Sequence, residues 1–319
     1  MDDKSNLRAA LSALTAFFVY STHDTVVKFL GGSYSPVQIV FFSVCFGMPL
    51  VTFMLMRDRS DGNLRPKHPW WTLIRTVAAI ISGLSAFFAF SVLPMAQAYA
   101  ILFATPLLIT LLAIPILGEK VGLHRGGAII AGLIGVMIVI QPGSEPLTLG
   151  HLAALAAAVC GALAAIIVRK IGRVERSVVL LLYPMMGNFV IMACILPFVY
   201  EPMPIQHVGL LGVMAVFSFI AMLLTISAYR AGQAVIVAPM QYSQIIWAAL
   251  FGFIIFGEAV DRNTILGAAV IVASGIYIVL REDGGASEAK PVLQSRWRPE
   301  GIMPRVGPMM RWQKQSRRH

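Results

Sequence analysis

Residues 118–140 have the sequence GEKVGLHRGGAIIAGLIGVMIVI, and residues 257–280 have the sequence GEAVDRNTILGAAVIVASGIYIVL. Each stretch begins with Gly-Glu at the end of one apolar run and continues into a second apolar run that is rich in Gly and Ala. Glycine suits the end of a helix because it readily takes a positive φ. Glutamate suits the position just before the next helix, whose N-terminal dipole favours a negative charge. The two stretches therefore predict two helix-to-helix turns, and their similarity predicts an internal duplication.

Apolar runs of bilayer-spanning length extend outward from both stretches. About 20 apolar residues cross a bilayer as a helix. The sequence predicts ten such spans, near 8–29, 36–56, 73–92, 97–117, 124–140, 150–168, 177–199, 208–228, 233–256 and 264–280. Each half holds five spans, so the second half would enter the membrane in the opposite orientation. Inverted repeats of this kind favour transport by alternating access around a midplane site.

The composition agrees with an all-α integral membrane protein. Apolar residues make up 58% of the chain and charged residues only 13%, whereas soluble domains have about 25% charged residues. The mean hydropathy is +0.78. The runs are continuous and lack the two-residue period of a transmembrane β-barrel.

The positions of the Lys and Arg residues predict the orientation. If both termini are cytoplasmic, every Lys and Arg except Lys28 and Arg262 falls on the inner side, as the positive-inside rule requires. We expect a first five-span repeat over residues 1–141, a second, inverted repeat over 142–280, and a basic, disordered cytoplasmic tail over 281–319. The predicted location is the inner membrane of a bacterial cell, with multiple passes.

The duplicated pattern resembles the drug/metabolite transporter superfamily, EamA type. The resemblance covers residues 8–280 and rests on the two five-span units, on Pro106 and Pro239 within the fourth and ninth spans, and on the Gly-Glu pairs with the Gly-rich spans after them. It implies a secondary carrier with a central cavity lined mainly by spans one, three, four, six, eight and nine. The chain is similar in particular to bacterial subgroups that include S-adenosylmethionine and riboflavin carriers.

Polar residues inside the apolar runs are the candidates for a site, because such groups are costly in a membrane and usually face a cavity or a partner. Asp24 and Lys28 stand four residues apart and could form a structural ion pair. Alternatively, His23 and Asp24 line the cavity and contact the substrate or a proton. The candidate cavity residues are His23, Asp24, Tyr99, Phe103, Tyr183, Asn188, Tyr229, Gln241, Tyr242, Gln244 and Trp247.

Other residues receive structural interpretations or open alternatives. Glu119 and Glu258 are either hairpin caps or, with His23 and Asp24, groups for gating or coupling. We expect Arg75 and Arg230 to face lipid headgroups. Spans five and ten carry small residues at helical spacing, which predicts close helix packing, with a dimer surface as an alternative.

A cavity with aromatic walls and uncharged polar groups suits a planar, amphipathic solute. The first candidate is riboflavin uptake, and the alternatives are a carrier of S-adenosylmethionine, an exporter of amino acids or drugs, and a non-transporting structural subunit of the membrane. We expect no enzymatic activity and no cofactor, because the sequence shows no cluster of His, Asp or Cys at a membrane surface. We expect no metal site, because Cys45, Cys160 and Cys194 lie in apolar runs without metal-ligand spacing. The expected partners are a small-molecule substrate and the lipid bilayer, without nucleic acid, for a monomer or a homodimer.

Overall fold

The computed structural model describes residues 3–56, 64–119, 122–142, 147–172, 174–232 and 234–284. In these ranges the chain forms long helices joined by short connections. All but the first four residues of the predicted tail, 281–319, lie outside the described residues. The helices are α1 Asp3–Gly31, α2 Pro36–Met56, α3 Pro69–Val92, α4 Met95–Leu102, α5 Thr105–Leu117, α6 Leu123–Ile140, α7 Leu149–Ile171, α8 Ser177–Val199, α9 Ile205–Ala231, α10 Ala234–Val237, α11 Ser243–Phe256 and α12 Arg262–Gly284, with a 3₁₀ segment, Ala238–Tyr242, before α11.

The helices of the described residues agree with the predicted spans in position. Nine helical stretches in the described ranges are long and apolar enough to cross a membrane, with α4 and α5 forming one of them and the 3₁₀ segment and α11 another. The first predicted span lies in α1, which is long enough to cross but is not among the nine. This helix carries Asp24 and Lys28 as well as several neutral polar residues. The all-helical membrane architecture is therefore confirmed, with nine spans that meet the apolar criterion instead of ten.

Two spans are interrupted next to their prolines. The helix ends at Leu102 and resumes at Thr105, with Pro106 in the first turn of α5. In the ninth predicted span, Pro239 lies in the first turn of the 3₁₀ segment that precedes α11. Proline has no N–H to donate and clashes with the preceding turn, so an α-helix cannot run through it undisturbed. At Pro239 the disturbance takes the form of a short stretch of 3₁₀ helix.

The two Gly-Glu turns have the same backbone form. Gly118 has φ 71° and Gly257 has φ 66°, and each ends its helix in the left-handed conformation. The amide of Glu119 donates to the carbonyl of Ala113, and the amide of Glu258 donates to the carbonyl of Gly252. The amides of Gly118 and Gly257 donate to the carbonyls of Ile114 and Phe253, which is the 5→1 bond of an αL helix end, and the positive φ of both glycines is as the sequence predicts.

The Gly-rich helices α6 and α12 pack directly against each other. A Cβ atom on Gly267 would lie 2.5 Å from the carbonyl oxygen of Gly135 and 3.0 Å from the amide nitrogen of Val139. A Cβ atom on Gly135 would meet Gly267 and Ile271. Gly267 lies against Val139, whereas Ile271, one turn later in α12, lies against Gly135, one turn earlier in α6. The two helices therefore run antiparallel. The small residues of spans five and ten therefore serve close packing within the chain, while the dimer surface stays a prediction.

Candidate functional site

A polar network lies between α1, α4 and α11. His23 Nδ1 lies 2.7 Å from Asp24 Oδ1, and the hydroxyl of Tyr99 donates to Asp24 Oδ2. The amide Nε2 of Gln244 donates to the hydroxyl oxygen of Tyr99 at 3.4 Å. The Asp24 side chain keeps only 16% of its exposure, and a carboxylate at this depth needs such partners to be tolerable. The structure thus brings together four residues that the sequence selected separately.

Aromatic rings continue the network across the two interrupted spans. The ring of Tyr99 lies 5.1 Å from that of Phe90 and 5.8 Å from that of Phe103, measured between centroids. Phe103, in the gap between α4 and α5, lies 5.2 Å from the ring of Tyr242 at the end of the 3₁₀ segment. These distances are typical of attractive aromatic pairs. The two breaks therefore meet at a pair of aromatic rings beside the polar network.

Gly275 of α12 makes room for one of these rings. A Cβ atom on Gly275 would lie 1.8 Å from the hydroxyl oxygen of Tyr242. No side chain fits there unless Tyr242 moves. The position of the Tyr242 ring therefore depends on Gly275 in α12. Because the Tyr242 ring packs on Phe103, the position of Phe103 depends on Gly275 as well.

A first ion pair lies at the end of α1. Lys28 Nζ is 2.6 Å from Glu258 Oε1, and it also donates to the carbonyl oxygen of Leu93 at the end of α3. The other carboxylate oxygen of Glu258 accepts the backbone N–H of Met95 at 2.9 Å. The alternative in which Lys28 pairs with Asp24 is therefore wrong. Asp24 bonds to His23 and Tyr99, and Lys28 reaches the opposite half of the chain.

A second ion pair lies at the end of α7. Arg169 contacts both carboxylate oxygens of Glu119, with Nη2 2.6 Å from Oε1 and Nη1 3.3 Å from Oε2. Two parallel N–H···O contacts of this kind hold a carboxylate in a fixed orientation. The neighbouring Lys170 donates to the carbonyl oxygen of Ile116 at 2.9 Å. The end of α7 is thus fastened to the turn after α5.

The two ion pairs lie at opposite ends of one span. Glu258 bonds to Met95, where the span Met95–Leu117 begins, and Glu119 stands two residues after the end of that span. The span has 23 residues, which corresponds to about 34 Å at about 1.5 Å per residue. Each pair joins a cation near the end of the first helix of one half to the Gly-Glu turn of the other half.

The remaining candidate residues contribute no hydrogen bond to the network among the described residues. Tyr183 is 36% exposed, and its hydroxyl donates to the carbonyl of Leu64. The rest pack elsewhere or stand beside the network: Tyr229 packs with Ala9, Ala13 and Phe17, Trp247 packs edge-on against Phe18, Gln241 is half-buried, and Asn188 lies on α8.

Sequence reasoning missed the role of Arg169 and the partner of Lys28. The sequence indicates only that Arg169 lies on the inner side, and the four-residue spacing favours Asp24 as the partner of Lys28. A usable signal was present, because Lys28 and Arg169 stand at nearly the same spacing as the equivalent glycines Gly127 and Gly267. Aligning the repeats through their first helices would have placed the two cations at matching positions.

The comparisons with known proteins agree with this architecture. The model of the EamA-like transporter family matches residues 7–141 and again residues 148–281. The S-adenosylmethionine uptake transporter of Rickettsia bellii is 23% identical over 269 residues, which cover 84% of this chain and 92% of that protein. The riboflavin transporter of Rhizobium johnstonii is 29% identical over 248 residues, which cover 76% of this chain and 78% of that protein.

A third relative and one solved structure are also similar to this chain. The pseudopaline exporter CntI of Pseudomonas aeruginosa (strain UCBPP-PA14) is 24% identical over 281 residues, which cover 86% of this chain and 96% of that protein. One solved crystal structure superposes with a TM-score of 0.55 at 20% identity, covering 84% of this chain and 96% of that one, and it supports the fold alone. The family model matches both halves and most of the chain. The chain therefore belongs to the EamA-like transporter family, and it is a multi-pass membrane transporter and not an enzyme.

Proposed function

We propose that this chain is a secondary carrier that moves a small organic metabolite across a bacterial inner membrane by alternating access. Residues 1–141 and 142–280 form two five-span units of opposite orientation, with both termini in the cytoplasm, in a monomer or a homodimer. The observation that carries the proposal is the pair of equivalent ion pairs, Lys28–Glu258 and Arg169–Glu119, at opposite ends of the span Met95–Leu117.

The geometry supports opposite orientations for the two units. Lys28 and Arg169 both stand near the ends of first helices, α1 and α7, yet these ends lie at opposite ends of one span. The last helices, α6 and α12, meet antiparallel. Both observations are expected when the second copy of a unit enters the membrane inverted.

The two ion pairs act as gates in this mechanism. An alternating-access carrier opens one end of its path while the other end stays closed. Each ion pair connects the first helix of one unit to the Gly-Glu turn of the other unit. When one pair separates, the helices can move apart at that end of the path while the other end stays closed. With both pairs formed, the path is closed at both ends and the site between them is occluded.

The substrate site is the network of His23, Asp24, Tyr99 and Gln244 with the adjoining rings of Phe103 and Tyr242. Rings provide flat apolar faces, while hydroxyl and amide groups bond to the edge of a planar solute. Riboflavin uptake fits these features, and a riboflavin transporter is among the relatives.

One observation favours a second substrate, S-adenosylmethionine. Asp24 places a carboxylate beside aromatic rings at membrane depth. A carboxylate and the faces of aromatic rings both attract an organic cation such as a sulfonium group. The name of the Rickettsia relative agrees with this candidate.

Counterflow in proteoliposomes tests the proposal. Vesicles preloaded with unlabelled riboflavin or S-adenosylmethionine are expected to take up the same labelled solute, and Asp24→Asn should abolish this exchange. Asp261→Asn is the matched control, because Asp261 bonds to Gln141 outside the network. A protein that exchanges neither solute, nor any of a panel of amino acids and drugs, is not a carrier, and a structural role for the chain would then replace the proposal.

A further inference from the structure

Arg75 lies inside α3 and not at its start. The helix begins at Pro69, four residues before the start that the sequence predicts, because proline and two tryptophans form a first turn ahead of the aliphatic run. The guanidinium Nη1 donates to the carbonyl oxygen of Leu180 in α8. The expectation that Arg75 faces lipid headgroups is therefore wrong, since its side chain points between helices.

The contacts of Arg75 leave part of its guanidinium group unused. Its Nε atom is buried and has no hydrogen-bond partner among the described residues. No carboxylate of the described chain forms an ion pair with it, whereas Arg169 holds Glu119 with two nitrogens. Arg75 as a whole is half-buried, and a partly buried cation without a counter-ion is costly, so an anion that reached Nε would be stabilised there.

Two threonine hydroxyls beside Arg75 are unsatisfied as well. Thr72 is 1% exposed and Thr76 is 8% exposed, and neither hydroxyl has a partner within the described ranges. They stand three residues before and one residue after Arg75, so all three groups lie within about one turn of the helix. Three sets of N–H and O–H donors thus remain available in one place.

Helix α8 closes the other side of this group. A Cβ atom on Gly187 would lie 2.9 Å from the Cγ2 atom of Thr76, so the two helices touch at that level. The following residue, Asn188, has a buried side-chain oxygen that also lacks a partner in the described part of the chain. In the described part of the chain, Thr72, Arg75, Thr76 and Asn188 therefore each have one buried side-chain atom that lacks a hydrogen-bond partner.

The cluster lies at the same end of the bundle as the Arg169–Glu119 pair. Trp71, four residues before Arg75, has its ring 4.1 Å from Nζ of Lys170, the neighbour of Arg169. Phe87, whose ring packs edge-on with His23, stands twelve residues beyond Arg75 along α3, about 18 Å away at about 1.5 Å per residue. The cluster is therefore separate from the Asp24 network.

We propose that Arg75, with the hydroxyls of Thr72 and Thr76, forms an oxyanion subsite that takes the carboxylate or phosphate of a transported metabolite at this end of the path. Guanidinium N–H groups match two oxygens of such a group, and hydroxyls supply further donors. The inference rests on the proposed carrier function. It adds to that function a second binding position about 18 Å from the central site, which a solute with a negative group occupies at another stage of transport.

Binding of matched ligand pairs tests the subsite. S-adenosylmethionine differs from decarboxylated S-adenosylmethionine by one carboxylate, and flavin mononucleotide differs from riboflavin by one phosphate. For purified protein in detergent without added lipid, we expect the oxyanion member of a pair to bind about tenfold tighter or more, as charge-assisted hydrogen bonds imply. Arg75→Gln should remove this preference, and Arg230→Gln, which changes an exposed arginine at the end of α9, should keep it.

Further variants protect the test from a folding artefact. Arg75→Lys keeps the charge without the planar fork and should keep part of the preference. The double variant Thr72→Val, Thr76→Val keeps the side-chain shape and should lower the preference by several-fold. A preference that survives Arg75→Gln, or is missing from the wild type, overturns the subsite. The same conclusion follows if native mass spectrometry shows that Arg75→Gln loses a bound phosphatidylglycerol while the ligand preference is unchanged.

The subsite and the carrier function can fail separately. Counterflow of the ligand that lacks the oxyanion, without any oxyanion preference in binding, supports the carrier function and removes the subsite. Oxyanion preference in binding, without counterflow of any solute, removes the carrier function and leaves an anion site in its place.

Discussion

Lys28 Nζ lies 2.6 Å from Glu258 Oε1, although the two residues belong to the first and last parts of the helical bundle. Their side chains are only 10% and 20% exposed, so either charge would be costly without the other. Because Glu258 also accepts the N–H of Met95, this one contact joins α1 and the end of α11 to the start of α4. At that end of the bundle, α1, α4 and the turn after α11 are therefore joined through charged groups.

The losses of stability caused by removing Lys28 and Glu258 should not be additive. We expect Lys28→Met and Glu258→Gln each to lower the free energy of unfolding by about 2–4 kcal/mol, because the remaining charge is left partly buried and unpaired. The double variant should lose clearly less than the sum of the two. Denaturation of the purified protein in detergent measures all three, and simple additivity would show that the two charges do not interact.

Breaking the Lys28–Glu258 pair and breaking the Arg169–Glu119 pair should have opposite effects on the accessibility of one end of the path. In a background without Cys45, Cys160 and Cys194, a cysteine at the buried Thr264 position reports on the Glu258 end. We expect Glu258→Gln to raise the rate of its labelling by a maleimide several-fold, because that end opens more often. Glu119→Gln should leave the rate unchanged or lower it. Equal increases in both variants would contradict two independent gates.

The network around Asp24 should set the transport rate. Asp24→Asn is expected to lower uptake at least about tenfold, and Tyr99→Phe, which removes one bond to a charged group worth about 1.5–3 kcal/mol, should also lower it about tenfold or more. His23→Ala, which removes the ring whose Nδ1 lies 2.7 Å from Asp24 Oδ1, should lower uptake as well. Uptake of the labelled solute into proteoliposomes is the measurement, and wild-type rates for Asp24→Asn and His23→Ala would exclude the site.

A methyl group at the glycine contact should destabilise the bundle. In Gly267→Ala the new Cβ atom would lie 2.5 Å from the backbone oxygen of Gly135, and the backbone cannot move aside as a flexible side chain can. We expect a loss of about 1–3 kcal/mol in the free energy of unfolding. Gly127→Ala is the matched control, since nothing lies within 4 Å of a Cβ atom there. Equal stability of the two variants would mean that α6 and α12 separate at little cost.

The positions of the helices could be predicted closely, because the length of an apolar run and its flanking turns are local properties. The predicted bounds of the second and seventh spans, 36–56 and 177–199, match α2 and α8. The start of α3 was missed, since Pro69 and the tryptophans begin the helix before the aliphatic run does. The form of the two breaks was also beyond the sequence, because a proline indicates where a helix is disturbed but not whether it stops or tightens to 3₁₀ geometry.

Part of the candidate site could be predicted for a similar reason. His23, Asp24, Tyr99 and Gln244 stand out as polar groups in apolar surroundings, and the cost of burying them implies partners. The identity of those partners depends on how each helix is rotated against the others. Lys28 illustrates the difference, because a carboxylate four residues away was available and the structure uses Glu258 instead.

The antiparallel contact of α6 with α12 bears on how such a chain could arise and be divided. These helices occupy equivalent places in the two halves, and an antiparallel contact between equivalent elements is the contact that two copies of one chain make about a two-fold axis. A single five-span polypeptide could therefore have paired with its own copy through this glycine face, before two copies of its gene were fused into one. Two separately synthesised fragments, divided between α6 and α7, are accordingly expected to find each other in the membrane and reconstitute the whole.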